Sequence, residues 1–174
     1  EKYPHMVRNF VYLQMGALSR IRIGLYKSLN DEINQLVDEI NWKYSTDDWT
    51  PIVFLRRNLT YPEVLAFYKM ANVCIVSSLH DGMNLVAKEF VASRSDEDGV
   101  LLLSKFTGAA RELDEHSVIF NPYDIEGFAD AIHEAVSMPK PKRRRRMRRL
   151  REIVEENNIY RWGENFVSEL AKLA

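Results

Sequence analysis

Apolar residues gather in five short runs along the chain: Phe10–Met15, Ile52–Leu55, Val73–Val76, Val100–Leu103 and Ser117–Phe120. Each run is close to continuous rather than alternating, the pattern of strands covered on both faces of a parallel sheet. Between the runs the period becomes helical. Leu25, Leu29, Ile33, Leu36, Val37 and Ile40 recur at helix spacing, which predicts a helix over Leu25–Lys43. Pro62 suits the first turn of a helix running to Met70. Asn84–Ala92 reads as another, and Asp124 puts a carboxylate at the N-terminal end of one that runs to Val136. After Pro141 two more helical stretches follow, Lys142–Glu156 and Tyr160–Leu173. Strand and helix alternate and helices close the chain, so the pattern predicts a doubly wound α/β domain.

The chain opens on a strand, and no glycine-rich phosphate turn follows it. Gly16 and Gly24 do not complete a GxGxxG pattern. In a dinucleotide-like fold a first strand and helix would then lie upstream. The 174 residues suffice for a buried core, and a 46% hydrophobic, 28% charged composition excludes wholesale disorder. The apolar runs are far shorter than the ~18–20 residues of a membrane span, so no membrane partner is expected. The single cysteine, Cys74, excludes an internal disulfide and reads as a small core hydrophobe. The first residue is Glu1 and not an initiator Met, so a piece of a longer protein is expected and the start of this sequence is silent on targeting. The three tryptophans, Trp42, Trp49 and Trp162, are expected in the core or in domain packing.

The formal net charge of −1 hides an asymmetry. The stretch Lys140–Arg151 holds nine of the 24 basic residues, which leaves 15 basic against 25 acidic elsewhere. Such a run attracts nucleic acid or forms a solvated helix face. Glu152, Glu155 and Glu156 follow directly and offer the pairs Arg148–Glu152 and Arg151–Glu155. No aromatic side chain is interleaved for base stacking, so the helix face is preferred and no nucleic-acid partner is expected. His5, His116 and His133 share no metal-ligand spacing, and no metal site is expected.

The most informative stretch is SSLHDGMNLVAKE, Ser77–Glu89, which follows the Val73–Val76 strand and opens a helix. Loops at the carboxyl ends of parallel strands are where such sheets bind ligands. Gly82 lets the backbone approach a ligand closely. The N–H groups of Met83 to Val86 face the loop at a positive helix end, where a diphosphate is the natural guest. Asp81 in the loop and Glu89 within the helix could grip two parts of one nucleotide sugar. By spacing alone a second reading stands beside this one: Asp81 as a helix cap and Glu89 as a surface residue paired with Lys88 or Arg94.

The element DGMNLVAKEFVASR, Asp81–Arg94, resembles the signature of the trehalose-6-phosphate synthases, glycosyltransferase family 20. The likeness extends to Leu13-Gln14 with Ser19-Arg20, Trp42-Lys43-Tyr44 and Trp49-Thr50-Pro51-Ile52. It continues through Val100–Ser104 with Gly108-Ala109-Ala110 and Glu112-Leu113, then Asn121–Asp124 and Asn157–Trp162. It thus covers nearly the whole chain. Glucosylglycerol-phosphate synthases and related pseudo-glycosyltransferases share much of it.

The resemblance implies the C-terminal, donor-binding half of a GT-B fold: a Rossmann-like parallel sheet with flanking helices, its first strand and helix missing. Residues 1–139 would form a partial nucleotide-sugar-binding domain. Residues 140–174 would be C-terminal helices packing on it or crossing from it. In the family strand order 3-2-1-4-5-6, the absent strand sits in the middle, so the five strands here would divide into a pair and a trio. The implied function is the UDP-glucose-binding part of a retaining transferase that makes trehalose 6-phosphate from glucose 6-phosphate. The alternatives are a relative with another acceptor and a non-catalytic regulatory module. Asp81 would hold hydroxyls of the transferred glucose and bear on catalysis. Gly82, Met83, Asn84, Leu85, Val86, Ala87 and Lys88 would line the donor, with Glu89 on the ribose. Leu59 falls at the uracil-flanking position with Val64 nearby, and Arg20 would hold the acceptor phosphate. The family's Arg/Lys pair for the diphosphate lies before Glu1, so Arg56 and Arg57 are not assigned that role. No cofactor is implied beyond the nucleotide-sugar donor. The implied partners are UDP-glucose, glucose 6-phosphate and an N-terminal acceptor domain, with a homo-oligomer among the expectations and a cytoplasmic location. Without that domain the chain is expected to have no synthase activity of its own.

Overall fold

The structure, a computed structural model, describes residues 2–16 and 24–172, with the side chains of 24–27 left aside. The chain divides into two compact units, Glu1–Glu63 and Val64–Ala174.

In the first unit a 3-10 turn at Pro4–Met6 precedes strand β1 (Tyr12–Met15), helix α1 (Gly24–Tyr44) and strand β2 (Ile52–Leu55). The two strands pair in parallel, Tyr12 opposite Ile52 through Met15 opposite Leu55. The Asn41 side chain joins the end of α1 to β2: its amide donates to the Ile52 carbonyl at 3.0 Å and accepts from the Ile52 N–H at 3.1 Å. β1 is shorter than the expected Phe10–Met15, and Phe10 and Val11 are exposed. Neither β1 nor β2 is covered on both faces. The apolar stripe of α1 is largely open as well, with Leu29 at 51% and Leu36 at 57% exposure. Trp42 is not a core residue: it is 90% exposed. It follows Ile40 by two residues, about 200° around the helix, and so lies opposite the apolar stripe. Trp49 is half-buried, and its indole N–H donates to the Phe10 carbonyl at 3.0 Å.

Helix α2 (Tyr61–Met70) spans the boundary between the units. Thr60-x-x-Glu63 gives its start the carboxylate half of a capping box. Glu63 accepts from the Thr60 N–H and hydroxyl, each at 2.8 Å, and from Arg57 at 2.7 Å. Led by the Arg57 bond, these donors hold the Glu63 carboxyl down at about 2. Pro62 stands in the first turn, as expected.

The second unit carries β3 (Val73–Val76), α3 (Leu85–Ser93), β4 (Val100–Ser104), α4 (Ala110–Leu113), β5 (Val118–Phe120), α5 (Ile125–Val136), α6 (Lys140–Glu156) and α7 (Ile159–Ala171). Its strands form a parallel sheet in the order β3-β4-β5. The five strands therefore fall into the expected pair and trio. Among the described strands only β4 is buried at every position, and it is the one with a strand on each side. Among the described residues every buried apolar side chain except Pro51 lies in this unit. α5 closes one face: Ala131 and Ala135 pack with Val100, Leu102, Val118 and Phe120, and Phe128 stacks on Phe120 with ring centres 4.1 Å apart. α3 buries Ala87, Phe90 and Val91, and α6 packs on it with Met147 and Leu150 buried. Cys74 lies on β3, where burial pushes its thiol up to about 12, so little of the nucleophilic thiolate is present at neutral pH. α7 has no buried residue, and Trp162, expected in packing, is 53% exposed and stacks on Phe166. No helix among the described residues is long and apolar enough to cross a membrane.

The basic run lies on α6, and most of its guanidinium groups meet acids of this chain. Arg143 pairs with Asp98, Arg148 with Glu97 at 2.8 Å, and Arg151 with Glu155 at 2.8 Å. Arg148 thus reaches the α3–β4 loop rather than Glu152, which Arg149 takes one turn on. Arg143 holds Asp98, and Arg148 holds Glu97, below their ordinary values of 3.8 and 4.5. A carboxylate with a depressed folded pKa contributes stability above its ordinary pKa and loses it as pH falls through the folded value. The thermal midpoint is therefore expected to fall as pH drops below about 4.5, and to fall less steeply in Arg143→Ala. Melts followed by circular dichroism across that range check this; equal slopes in the two proteins contradict it.

Candidate functional site

Asp81 is placed by its backbone. Five residues past β3 the chain meets the neighbouring segment again, and Asp81 forms a parallel bridge with Thr107 beyond β4. The Asp81 N–H donates to the Phe106 carbonyl at 3.3 Å, and its carbonyl accepts from the Gly108 N–H at 2.8 Å. The receiving loop is folded locally. Ser104 Oγ accepts from the Phe106 N–H, and Thr107 Oγ1 donates to the Ser104 carbonyl at 3.0 Å. Gly108 is demanded by this contact: a Cβ there would stand 1.9 Å from the Gly82 carbonyl oxygen. A Cβ on Gly82 itself would meet nothing within 4 Å. Gly82 thus faces open space, as a close approach to a ligand requires.

The Asp81 side chain turns to the mouth of α3. Oδ1 accepts from the N–H groups of Met83 at 3.1 Å and Asn84 at 3.0 Å, and Oδ2 from the Asn84 side-chain amide at 2.9 Å. Led by the Met83 bond, these donors lower the pKa of Asp81, which is a carboxylate at neutral pH. Asn84 is the N-cap of α3 and accepts from the Ala87 N–H at 3.0 Å. This revises the expectation that all of Met83 to Val86 present free N–H groups. Met83 and Asn84 donate to Asp81, and the N–H groups of Leu85 and Val86 remain open toward the loop among the described residues. Two open amides at a positive helix end suit an anion.

The partners suggested for Glu89 by a surface reading are taken elsewhere. Lys88 bonds Glu112 at 2.9 Å and so ties α3 to α4. Arg94 is 4% exposed and donates to the Tyr68, Lys69 and Ala71 carbonyls at the end of α2 as well as to Asp96. Glu89 is half-buried on α3 with no hydrogen bond or ion pair among the described residues. Around the loop Leu79, Met83, Leu85 and Val86 are exposed. His80 is exposed too. A groove of about 920 Å³ opens beside Asp81 and Gly82, bordered by Lys105, Phe106, Gly108 and Arg111.

The site residues thus form one cluster, Asp81 to Glu89, on the β3–α3 loop and the first turns of α3. Leu59 lies half-buried in the loop before α2, and Val64 half-buried on α2. Arg20 lies outside the described residues.

The model of glycosyltransferase family 20 matches residues 1–172. The chain belongs to glycosyltransferase family 20. A UDP-forming alpha,alpha-trehalose-phosphate synthase of Schizosaccharomyces pombe is 36% identical over 173 residues, 99% of this chain and 34% of that protein. The chain thus spans about a third of the length of this curated relative. A solved E. coli structure, described as trehalose-6-phosphate bound with UDP-2-fluoro glucose, matches 97% of this chain and 38% of its own, at 35% identity and a TM-score of 0.92. A Burkholderia xenovorans UDP-forming synthase in complex with glucose-6-phosphate matches 92% of this chain and 35% of its own, at 37% identity and a TM-score of 0.87. The architecture is that of the family-20 GT-B glycosyltransferases, parallel sheets with flanking helices.

Sequence reading missed three features of this family-20 site. Asn84 as N-cap was legible, since an Asn before an apolar helical run is a start signal. The seat of Asp81 on Thr107 and Gly108 was signalled only by a Ser-x-x-Thr-Gly turn after a strand. The commitment of Lys88 and Arg94 to other partners had no local signal, because Glu112 and the α2 carbonyls are more than 20 residues away.

Proposed function

We propose that this chain is the UDP-glucose-binding part of a retaining glycosyltransferase that transfers glucose to glucose 6-phosphate and forms trehalose 6-phosphate. The observation that carries the reading is the Asp81 carboxylate fixed at the mouth of α3, next to the two open N–H groups of Leu85 and Val86. A donor diphosphate accepts from those amides and is favoured by the helix dipole. As the bond to the sugar breaks, charge grows on that diphosphate, so the same amides stabilise the transition state more than the ground state. The glucose hydroxyls then donate to Asp81, which is ionised and acceptor-only. Glu89, unpaired on the same helix, accepts from the ribose hydroxyls. The open side of Gly82 leaves room for the sugar. Attack from the face of the departing diphosphate lets its oxygen take the acceptor proton, and no carboxylate of this chain has to act as a nucleophile. The name and the bound UDP-2-fluoro glucose of the E. coli relative, and the glucose-6-phosphate of the Burkholderia one, support both substrates. Arg20 is the proposed holder of the acceptor phosphate.

Asp81→Ala and Glu89→Ala separate the two halves of the donor. Ribose contacts are similar in ground and transition states, so Glu89→Ala is expected to raise the donor KM on the order of tenfold with kcat little changed. Sugar contacts that tighten during transfer make Asp81→Ala cut kcat as well. Steady-state kinetics of the full-length enzyme with UDP-glucose and glucose 6-phosphate check both. Unchanged kinetics in both variants would return Asp81 to helix capping and Glu89 to the surface.

A further inference from the structure

We propose that the side chain of Asn84 is a positioning residue that ties the sugar-facing carboxylate to the phosphate-facing helix end, so that the site distinguishes a nucleotide sugar from a bare nucleotide. This rests on the nucleotide-sugar reading above.

Asn84 is 8% exposed and adopts a left-handed backbone, φ 65°, which few residues other than Gly and Asn enter at small cost. Its side chain serves two ends at once. Oδ1 accepts from the Ala87 N–H at 3.0 Å and so caps α3. Nδ2 donates to Asp81 Oδ2 at 2.9 Å and to Ser78 Oγ at 3.3 Å. An amide alone places an acceptor and two donors on one rigid plane. An aspartate there would cap the helix and repel Asp81, and a glycine would keep the backbone and lose both bonds.

The tie has a consequence for Asp81. A carboxylate has about four acceptor sites. Here Met83, Asn84 N–H and Asn84 Nδ2 fill three, and they hold both oxygens in one orientation relative to α3. The remaining site on Oδ2 is the one offered to a sugar hydroxyl. The backbone N–H groups of Met83 and Asn84 hold Oδ1, and the Asn84 side chain holds Oδ2, so this side chain orients the remaining acceptor relative to the open amides of Leu85 and Val86. UDP engages only the helix end; UDP-glucose engages both.

The test uses the full chain with Asn84→Gly and Asn84→Asp. Calorimetric binding of UDP and UDP-glucose gives the ratio of the two affinities. Asn84→Gly keeps the left-handed turn, and glycine is a tolerable N-cap. It is expected to weaken UDP-glucose on the order of tenfold and UDP by less than about threefold. Asn84→Asp keeps the cap, so the same selective loss is expected near neutral pH. It should recover as pH falls and one of the two adjacent carboxyls takes up a proton and becomes a donor. A merely structural role would produce no such recovery. A ligand-free readout accompanies these: in Asn84→Gly, carbon-detected NMR titration should show the Asp81 carboxyl titrating at higher pH than in the wild type. An unchanged affinity ratio, an equal loss of both ligands, or an unmoved Asp81 titration overturns the proposal. If the wild-type chain binds neither ligand, the nucleotide-sugar reading falls, and the Asp81 titration alone upholds or overturns the tie.

Discussion

Arg94→Ala is expected to unfold the second unit in denaturant far earlier than the wild type, with a stability loss of about 3 kcal/mol or more. The Arg94 side chain is 5% exposed. Its NH1 group donates to the Tyr68 carbonyl at 2.9 Å, the Lys69 carbonyl at 2.8 Å and the Ala71 carbonyl at 2.5 Å. Tyr68 and Lys69 stand in the last turn of α2, where helix carbonyls look outside the helix for donors, and Ala71 lies just past its end. Removing the guanidinium takes a charged donor away from these carbonyls, and a hydrogen bond to a charged group contributes about 1.5–3 kcal/mol. The Asp96 ion pair adds less, because Asp96 is 52% exposed on its own side. Arg94→Lys is expected to recover little, since a single ammonium cannot reproduce the planar fork that reaches both Asp96 and the carbonyls. Urea unfolding followed by fluorescence measures both variants. A midpoint shift in Arg94→Ala no larger than that of a surface substitution would show that water replaces the guanidinium at no cost.

Gly108→Ala is expected to remove UDP-glucose binding although Gly108 lies 27 residues from Asp81 in the sequence. The new methyl would sit 1.9 Å from the Gly82 carbonyl oxygen and 2.5 Å from its carbon. Backbone cannot yield as a side chain does, so the Asp81–Met83 segment must leave its seat on Thr107 and Gly108. That breaks the bond between the Gly108 N–H and the Asp81 carbonyl, and misplaces the carboxylate against α3. Overpacking of this kind costs about 1–3 kcal/mol, and the affinity for UDP-glucose should drop by more than about tenfold. Gly82→Ala is the control for stability: its methyl meets nothing within 4 Å, so its unfolding midpoint should match the wild type within about 0.5 kcal/mol. Calorimetric titration and urea unfolding of the two variants decide it. A Gly108→Ala chain that binds UDP-glucose as the wild type does would mean the loop has slack that the packing denies.

The local pattern along the chain determined the elements and their order. Runs such as Val73–Val76 and Val100–Leu103 are strands at the stated positions or within a residue of them. Asp124 and Pro62 mark helix starts because capping and proline geometry act within one turn. The Asp81–Glu89 element was legible for the same reason: loop, cap and first helical turn are contiguous, so their chemistry is written in consecutive residues. Burial was not legible. Continuous apolar runs predicted strands covered on both faces, yet only β4 is, because coverage depends on which strands come to lie beside one another. The basic run on α6 looked like a solvated face or a nucleic-acid patch, and tertiary packing turned Arg143 and Arg148 onto Asp98 and Glu97, nearly 50 residues away. Glu89 could have been a paired surface residue until the fold drew Lys88 to Glu112 and Arg94 to the end of α2. The sequence by itself determined which groups could meet a nucleotide sugar. Only the tertiary structure decided which of them are left unpaired to do so, because hydrogen bonds and ion pairs are shared out among neighbours in space and not along the chain.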